Sequence, residues 1–505
     1  MEWELALHPD DADNLSRSKL IGAVKGARLR HHVARMVWHD SPDRALRAAG
    51  LIVVEQRGDW RLERLIPGDR GWLPGQPAPV LAQGATSVLL AEGASSVLLA
   101  HGAKAAALGD QVPDQIVPVA AFDGRMTTIA ALAGDIPVTL RLLRGDLRGV
   151  MTTVPVCRLL FDGPDEAVRS LALSLTEVFR LTVPRASLAA EALAAAEGWV
   201  PPPRGLGAPD PVTSLTVATA FAAIIGHLTD VILHYAPLAE REGRLTEPVH
   251  QMRVAVRRAR SVIAVFGHAM QAPVVSEAGR ELKALGAVLG PARDRDVFVT
   301  ETLPPIIAAF PADERLGRLL VAAEKARAEA HAALDQWLIG ASFRRMAVSL
   351  AWLAASSDWH AVLEPERHAL AAMPVPEFAA IVLRRRWKQL LAAGKGIEDL
   401  PVPALHGLRL RVKRTRYAAE VFTPGQHAKP ALRLLRRLSV LQQRLGLLND
   451  GAVAETLLHQ LGGPAGRHGY AVGLILGYIG AGAAGARPGI VAAWDKISKT
   501  PPFWA

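Results

Sequence analysis

The sequence predicts an α+β chain, with strands and helices mixed in residues 1–199 and helices alone in residues 214–505. Three observations carry this prediction. Residues 200–213 read VPPPRGLGAPDPVT, a Pro/Gly density that no helix or central strand continues through, so they form a linker. Before the linker, stretches of alternating residues have the period of a strand; after it, apolar residues recur with the spacing of a helix. Within the helical region one pattern occurs twice, 156 residues apart (406 − 250).

EWELAL at 2–7 alternates as a strand. LIVVEQ at 51–56 and WRLERLI at 60–66 read as a hairpin around Arg57-Gly58-Asp59, and IPVTLRLL at 136–143 and VPVCRLLF at 154–161 as two further strands. DEAVRSLALSLTEVFRL at 165–181 and RASLAAEALAAAE at 185–197 are helical by period. Residues 86–103 hold a nine-residue duplication, TSVLLAEGA then SSVLLAHGA, read as a surface insertion or short helix pair without chemistry. After the linker, 330–338, 379–393 and 431–448 show helical spacing. The stretch 470–486 is the best membrane candidate, but it is slightly short of a span and Gly-rich, so it is read as a buried core helix.

The repeated pattern is a basic stripe: HQMRVAVRRAR at 250–260 and HGLRLRVKRTR at 406–416. Each copy sets a histidine and cations at +3, +7 and +10: His250, Arg253, Arg257 and Arg260, then His406, Arg409, Lys413 and Arg416. On a helix these four positions span an arc of roughly 80°. Met252, Val256, Ala259, Ile263 and Phe266 occupy the adjoining side in one copy; Leu408, Val412, Thr415, Ala419 and Phe422 do so in the other. The same offset carries Arg280 onto Arg436, Leu289-Gly290 onto Leu445-Gly446 and Asp294 onto Asp450. This is an internal repeat, expected to pack about a pseudo-twofold axis with both stripes facing one groove. Arg280, Lys283 and Arg436 are expected as outer support, and Arg258 and Arg414 at the groove rim or paired with acids. Arg384, Arg385, Arg386 and Lys388 make a third basic helix, of which one or two residues can join a single site.

The net charge of +10 is uneven. Residues 1–210 hold 22 Lys and Arg against 24 Asp and Glu; residues 211–505 hold 36 against 24. The anion preference therefore belongs to the helical region, with polyphosphate, nucleic acid or an anionic membrane surface as candidate partners. The single cysteine, Cys157, excludes an internal disulfide and a thiolate metal cluster. Glu2 and Glu4 stand where a leader would want cations, so a cytoplasmic protein without a membrane partner is expected.

The segments HxxRVxxRRxR at 250–260, HxxRLxxKRxR at 406–416, LGPARDRDV at 289–297 and LGLLND at 445–450 resemble the CHAD family, the conserved-histidine α-helical domain. The closing TPPFW is similar to that family's usual end, and the resemblance covers about 210–505. It implies two four-helix bundles related by a pseudo-twofold, a basic groove, and binding of inorganic polyphosphate, in some members on polyphosphate granules. Residues 1–199 resemble a CYTH domain, the triphosphate tunnel, which implies an antiparallel β-tunnel with flanking helices. Glu2-Trp3-Glu4 matches the start of its ExExK motif, and Trp38-His39-Asp40-Ser41-Pro42-Asp43 is similar to YYDTPD. The departures are extensive. Cations of the motif are replaced at Ala6, Val54, Gln56, Leu65 and Leu188, and Arg158 lies where the late glutamates would fall. Glu2, Glu4, Arg57 and Arg125 are what survives. Triphosphate hydrolysis there needs a carboxylate-bound cation opposite a phosphate cradle, so a catalytically dead tunnel is expected.

A polyphosphate chain offers only anionic acceptors, so its receptor wants many guanidinium forks. Binders of single-stranded nucleic acid interleave aromatics for stacking; here aromatics are 5% of the chain and none lies within 250–260. The histidines are read as structural donors or as phosphate donors that charge below about pH 6.5. No cofactor is expected, and no metal either, Glu2 and Glu4 being weak candidates. Asp294 and Asp450 are read as helix caps or braces for a groove arginine. The expectation is a non-enzymatic polyphosphate binder; the rivals are an inorganic triphosphatase using the N-terminal tunnel and a general binder of nucleic acid or anionic surfaces.

Overall fold

The computed structural model describes residues 2–15, 17–18, 20–23, 29–65, 80–85, 116–149, 152–199, 206, 209, 215–239, 246–356, 358–423, 429–485 and 487–504. The duplication at 86–103 and most of the linker lie outside them. The chain forms two compact units, Met1–Leu206 with Gly340–Asp358, and Gly207–Ile339 with Trp359–Ala505.

The first unit is built on one antiparallel sheet of ten strands: β1 Glu2–Leu7, β2 Gly22–Ala23, β3 Arg30–Asp40, β4 Leu51–Gln56, β5 Asp59–Arg64, β6 Val80–Ala85, β7 Val117–Ala133, β8 Ile136–Arg148, β9 Thr153–Asp162 and β10 Leu181–Thr182. Their order is β10-β1-β9-β8-β7-β3-β4-β5-β6, with β2 beside β7. Among the described residues no pairing joins the end strands β10 and β6. The β4–β5 hairpin turns on Arg57 and Gly58, whose φ values of 56° and 85° are the pair that a two-residue turn of this hand requires. Asp59 already pairs with Gln56, so the turn is one residue shorter than the sequence reading.

The sequence reading placed no strand at β3 or β7, where Arg35 and Asp123-Gly124-Arg125 interrupt the apolar runs. Register explains them. Gly124 faces Gly145 across β7 and β8, and a Cβ on either would strike the other strand's backbone 2.3 Å away. One face of this sheet packs on helix Leu188–Glu197 through Met36, Trp38, Ile52, Phe122, Leu143 and Leu193. Val54 and Leu65, two of the positions where the tunnel motif has cations, are 1% and 3% exposed in this apolar cluster, and Leu188 packs against it.

Helix Ala341–Ala355 also belongs to the first unit, although the linker at 200–213 suggested a continuous helical region from 214 onward. Met346 to Ala354 are all buried, as in a helix enclosed on every side. It packs on helix Asp165–Val178, with the Arg169 guanidinium 5.2 Å from the Trp352 ring and Arg345 3.4 Å from Glu177.

The second unit is helical. Its first basic helix, Thr246–Phe266, and second basic helix, Val402–Val421, start 156 residues apart, as do the helices that follow each, Pro273–Val297 and Lys429–Gln460. The expected apolar faces are buried in both, except that Ile263 is half-buried. Phe266 and Phe422, equivalent by the repeat, touch directly with ring centroids 5.7 Å apart. Phe221 packs on Phe266 at 5.7 Å and Phe378 on Phe422 at 6.1 Å. Such rings bury on the order of 150–250 Å² each, so the quartet contributes substantially to this core. The 470–486 stretch forms helix Gly469–Ala484, whose Ala471, Val472 and Ile475 are buried against Leu316, Leu319 and Leu458. Taken singly, the described helix long and apolar enough to cross a membrane is Val217–Ala239, and 67% of its apolar window is buried within the protein.

Candidate anion-binding site

The second basic helix opens on Pro401-Val402-Pro403, where fixed φ angles and missing N–H donors suit a first turn. The first opens on Thr246-Glu247-Pro248, with an acid in its first turn as the helix dipole favours. Each helix then buries its apolar face and leaves its stripe at the edge.

The edges converge. A cavity of about 350 Å³ is lined by His250, Arg253 and Arg257 from the first basic helix and Arg409 from the second. Arg293 and Asp294, from the end of helix Pro273–Val297, complete its polar wall. Four guanidinium groups thus face one carboxylate. Asp294 accepts from Arg253 at 3.1 Å, so it braces a groove arginine. Gly290 makes room for this arginine, since a Cβ there would lie 3.0 Å from the guanidinium. The side chain of Asp450 lies outside the described residues.

Lys413 belongs to the same cluster. Burial, reinforced by Arg257, Arg409, Arg253 and Arg260, pushes its ammonium down to about 8. Arg257 is lowered from its ordinary value first by burial and then by Arg416, Arg253 and Arg258, against Tyr417 acting upward. The Nε donors of Arg257 and Arg409 are buried without a hydrogen-bond acceptor. Buried donors normally find one, and buried like charges repel. His250 is likewise held below the ordinary imidazole value, by burial first and then by Arg293. Its charging therefore begins at lower pH than the value of about 6.5 expected for a free imidazole.

Other expected residues are placed differently. His406, the repeat partner of His250, is exposed and does not line the cavity. Arg260, Arg280, Lys283 and Arg436 are exposed and also outside the lining. Arg416 turns away: its Nε donates to Gln442 at 3.0 Å and its guanidinium pairs with Glu420 at 2.9 Å. Its equivalent, Arg260, instead lies over Gly286, which stands where the second copy has Gln442. Two contributors were missed from sequence. Arg293 lines the cavity and pairs with Glu301 at 3.0 Å. Tyr417, 4% exposed, lies beneath the cations of both helices, 5.3 Å from Arg257, 4.9 Å from Arg416 and 6.0 Å from Lys413. Its position one helical turn after Lys413 was the available signal.

In the first unit, the weak metal candidate Glu4 is corrected. It is 8% exposed and lies 2.8 Å from the Arg158 guanidinium, which also pairs with Glu191 at 2.5 Å. A buried arginine stands where a cation ligated by Glu4 would have to sit. The side chain of Glu2 lies outside the described residues. Asp40, within the segment similar to YYDTPD, is fully buried and accepts from the backbone of Ser41 and Arg47. Among the described residues, no group of three or more His, Cys, Asp or Glu is arranged to hold a metal ion.

The family model of the CHAD domain matches residues 223–459. In shape the chain is similar to the CHAD domain from the plant Ricinus communis, at 29% identity and a TM-score of 0.50, covering 59% of this chain and 98% of that one. Two looser likenesses are PptA from Streptomyces chartreusis (18% identity, TM-score 0.43, 55% of this chain and 99% of that one) and HpAC1 from Hippeastrum, described as having a dominant triphosphatase activity (15%, 0.27, 39% and 95%). No curated protein matches the chain.

Proposed function

We propose that the region matched by the CHAD family model, residues 223–459, binds inorganic polyphosphate in the cleft between the two basic helices. The observation that carries this reading is the convergence of Arg253, Arg257, Arg293 and Arg409 on one cavity with a single carboxylate, Asp294; Lys413, beside them, is pushed down to about 8 by burial first and by these cations second. Without a ligand this arrangement is unfavourable; a polyanion relieves it. The contact between equivalent Phe266 and Phe422 supports two bundles related by a pseudo-twofold, which would run the chain across both copies. Phosphate alone suffices as ligand, because the aromatics at the cleft, Phe298 and Tyr417, are 3% and 4% exposed and offer no stacking face to a base. On this reading the protein partitions to polyphosphate granules. Titration with long-chain polyphosphate at two salt concentrations tests it: affinity should fall steeply with salt, and polyphosphate should displace bound DNA or RNA far more readily than the reverse.

The second reading is inorganic triphosphate hydrolysis by the first unit. It draws on the surviving Glu4 and on a cavity of about 670 Å³ on the sheet, lined in part by Arg125, Arg144, Asp13, Asp123 and His31. Phosphate release from triphosphate with Mg²⁺ or Mn²⁺, abolished by Glu4→Ala, would establish it. The Glu4–Arg158 pair predicts no such release.

A further inference from the structure

A second basic cavity, of about 440 Å³, lies in the helical unit and shares no lining residue with the first. Arg411 and Arg414 reach it from the second basic helix, on which they sit about 140–200° around the axis from Arg409. Arg385, Arg386 and Gln389 of helix Val375–Ala393, with His268 and Thr415, complete the polar part. No carboxylate lines it, and among the described residues none pairs with Arg385, Arg411 or Arg414. Arg386 is the frame. It is held below its ordinary value by burial and then by Arg414 and Arg385, and it donates to the carbonyl oxygens of Arg414 at 2.8 Å and Ala264 at 3.4 Å.

Two features separate this cavity from the polyphosphate cleft. Its accessible floor is apolar, formed by Ile381, 49% exposed, and half-buried Val382. It is also not repeated: Arg411 corresponds to buried Ala255, and Arg386 to buried Asp230, so the first copy lacks the cluster. A bare phosphate chain would satisfy the guanidinium groups and leave the apolar floor against water. A ligand that fits both parts carries a phosphate group and a compact ring, in a cavity of the size small organic ligands occupy. Arginine suits either end, since its fork binds phosphate and its plane stacks on a ring.

We propose that this cavity is a second anion site, binding one mononucleotide-class organic phosphate per chain independently of polyphosphate. The inference does not rest on the reading of the first cleft.

The test uses the full chain carrying Arg253→Glu and Arg409→Glu, so that ATP cannot bind through the first cleft. Calorimetric titration should give one ATP per chain. Adding Arg385→Glu and Arg411→Glu, both at exposed positions, should weaken ATP at least tenfold with an unchanged circular dichroism spectrum; Arg411→Gln alone serves should that variant misfold. Tripolyphosphate and adenosine should each bind at least tenfold more weakly than ATP. Separately, Arg385→Glu with Arg411→Glu in the otherwise native chain should retain polyphosphate. The proposal is overturned if the added substitutions leave ATP binding unchanged, if tripolyphosphate binds as well as ATP, or if no saturable ATP binding is found.

Discussion

Each unit buries arginine beside other charges, with opposite outcomes. In the sheet, Arg158 is 4% exposed and lies between Glu4 and Glu191. In the helical unit, Arg257 and Arg409 keep buried Nε donors without acceptors, and Lys413 is crowded by cations from both helices. A buried charge matched from within is part of the structure. A buried charge crowded by its own sign carries a cost that an external anion removes. On the proposed reading, the anion belongs to the helical unit, and Arg158 with its two glutamates is a structural ion triad.

The most severe challenge to this contrast is Arg253→Glu with Arg409→Glu. Two charge-assisted contacts at about 1.5–3 kcal/mol each predict a loss of polyphosphate affinity on the order of a hundredfold or more, with the helical spectrum intact. Unchanged retention in a pull-down would remove the site. Next comes Arg158→Met, which strands Glu4 and Glu191. Breaking a buried pair costs roughly 3–5 kcal/mol, so denaturant unfolding should shift strongly while polyphosphate binding persists. Arg257→Met should do the reverse, leaving the ligand-free protein as stable or up to about 1 kcal/mol more stable while weakening the ligand.

A pH titration sharpens the same contrast. Folded Lys413 releases its proton near 8, whereas an unfolded lysine does so near its ordinary value of 10.5. Between these values the unfolded chain holds more protons, so the Lys413 contribution to ligand-free stability rises with pH across that window. Polyphosphate favours the charged form, so binding near pH 8.5 should take up a proton and weaken as pH rises further. Calorimetry in buffers of different ionisation enthalpy measures this uptake, and none at all would mean that Lys413 does not face the ligand. The smallest expected effect is that of Gly290→Ala, which displaces the Arg253 guanidinium by a few tenths of an ångström and should lower affinity only a few-fold.

Much of the helical unit was legible in advance. The spacing of His250, Arg253, Arg257 and Arg260, and its return at His406, fixed two helices, their buried faces and their shared register. What spacing could not provide was each cation's neighbours. Arg260 and Arg416 hold the same repeat position, yet one lies over Gly286 and the other is bound to Gln442 and Glu420. The long strands β3 and β7 escaped reading because interleaved charges, and in β7 Gly124, broke their alternation.

Read alone, then, the chain determined its periods: strands before the linker, helices after it, a duplication, and two cationic edges. Periodicity is local, because neighbours along a helix or strand are set by the backbone itself. Tertiary structure decided which charges meet, placing Tyr417 beneath Arg257 and Lys413, Arg158 between two glutamates, and helix Ala341–Ala355 in the first unit. Those pairings join residues far apart in sequence, and their energies depend on burial and distance, which exist only once the elements have packed.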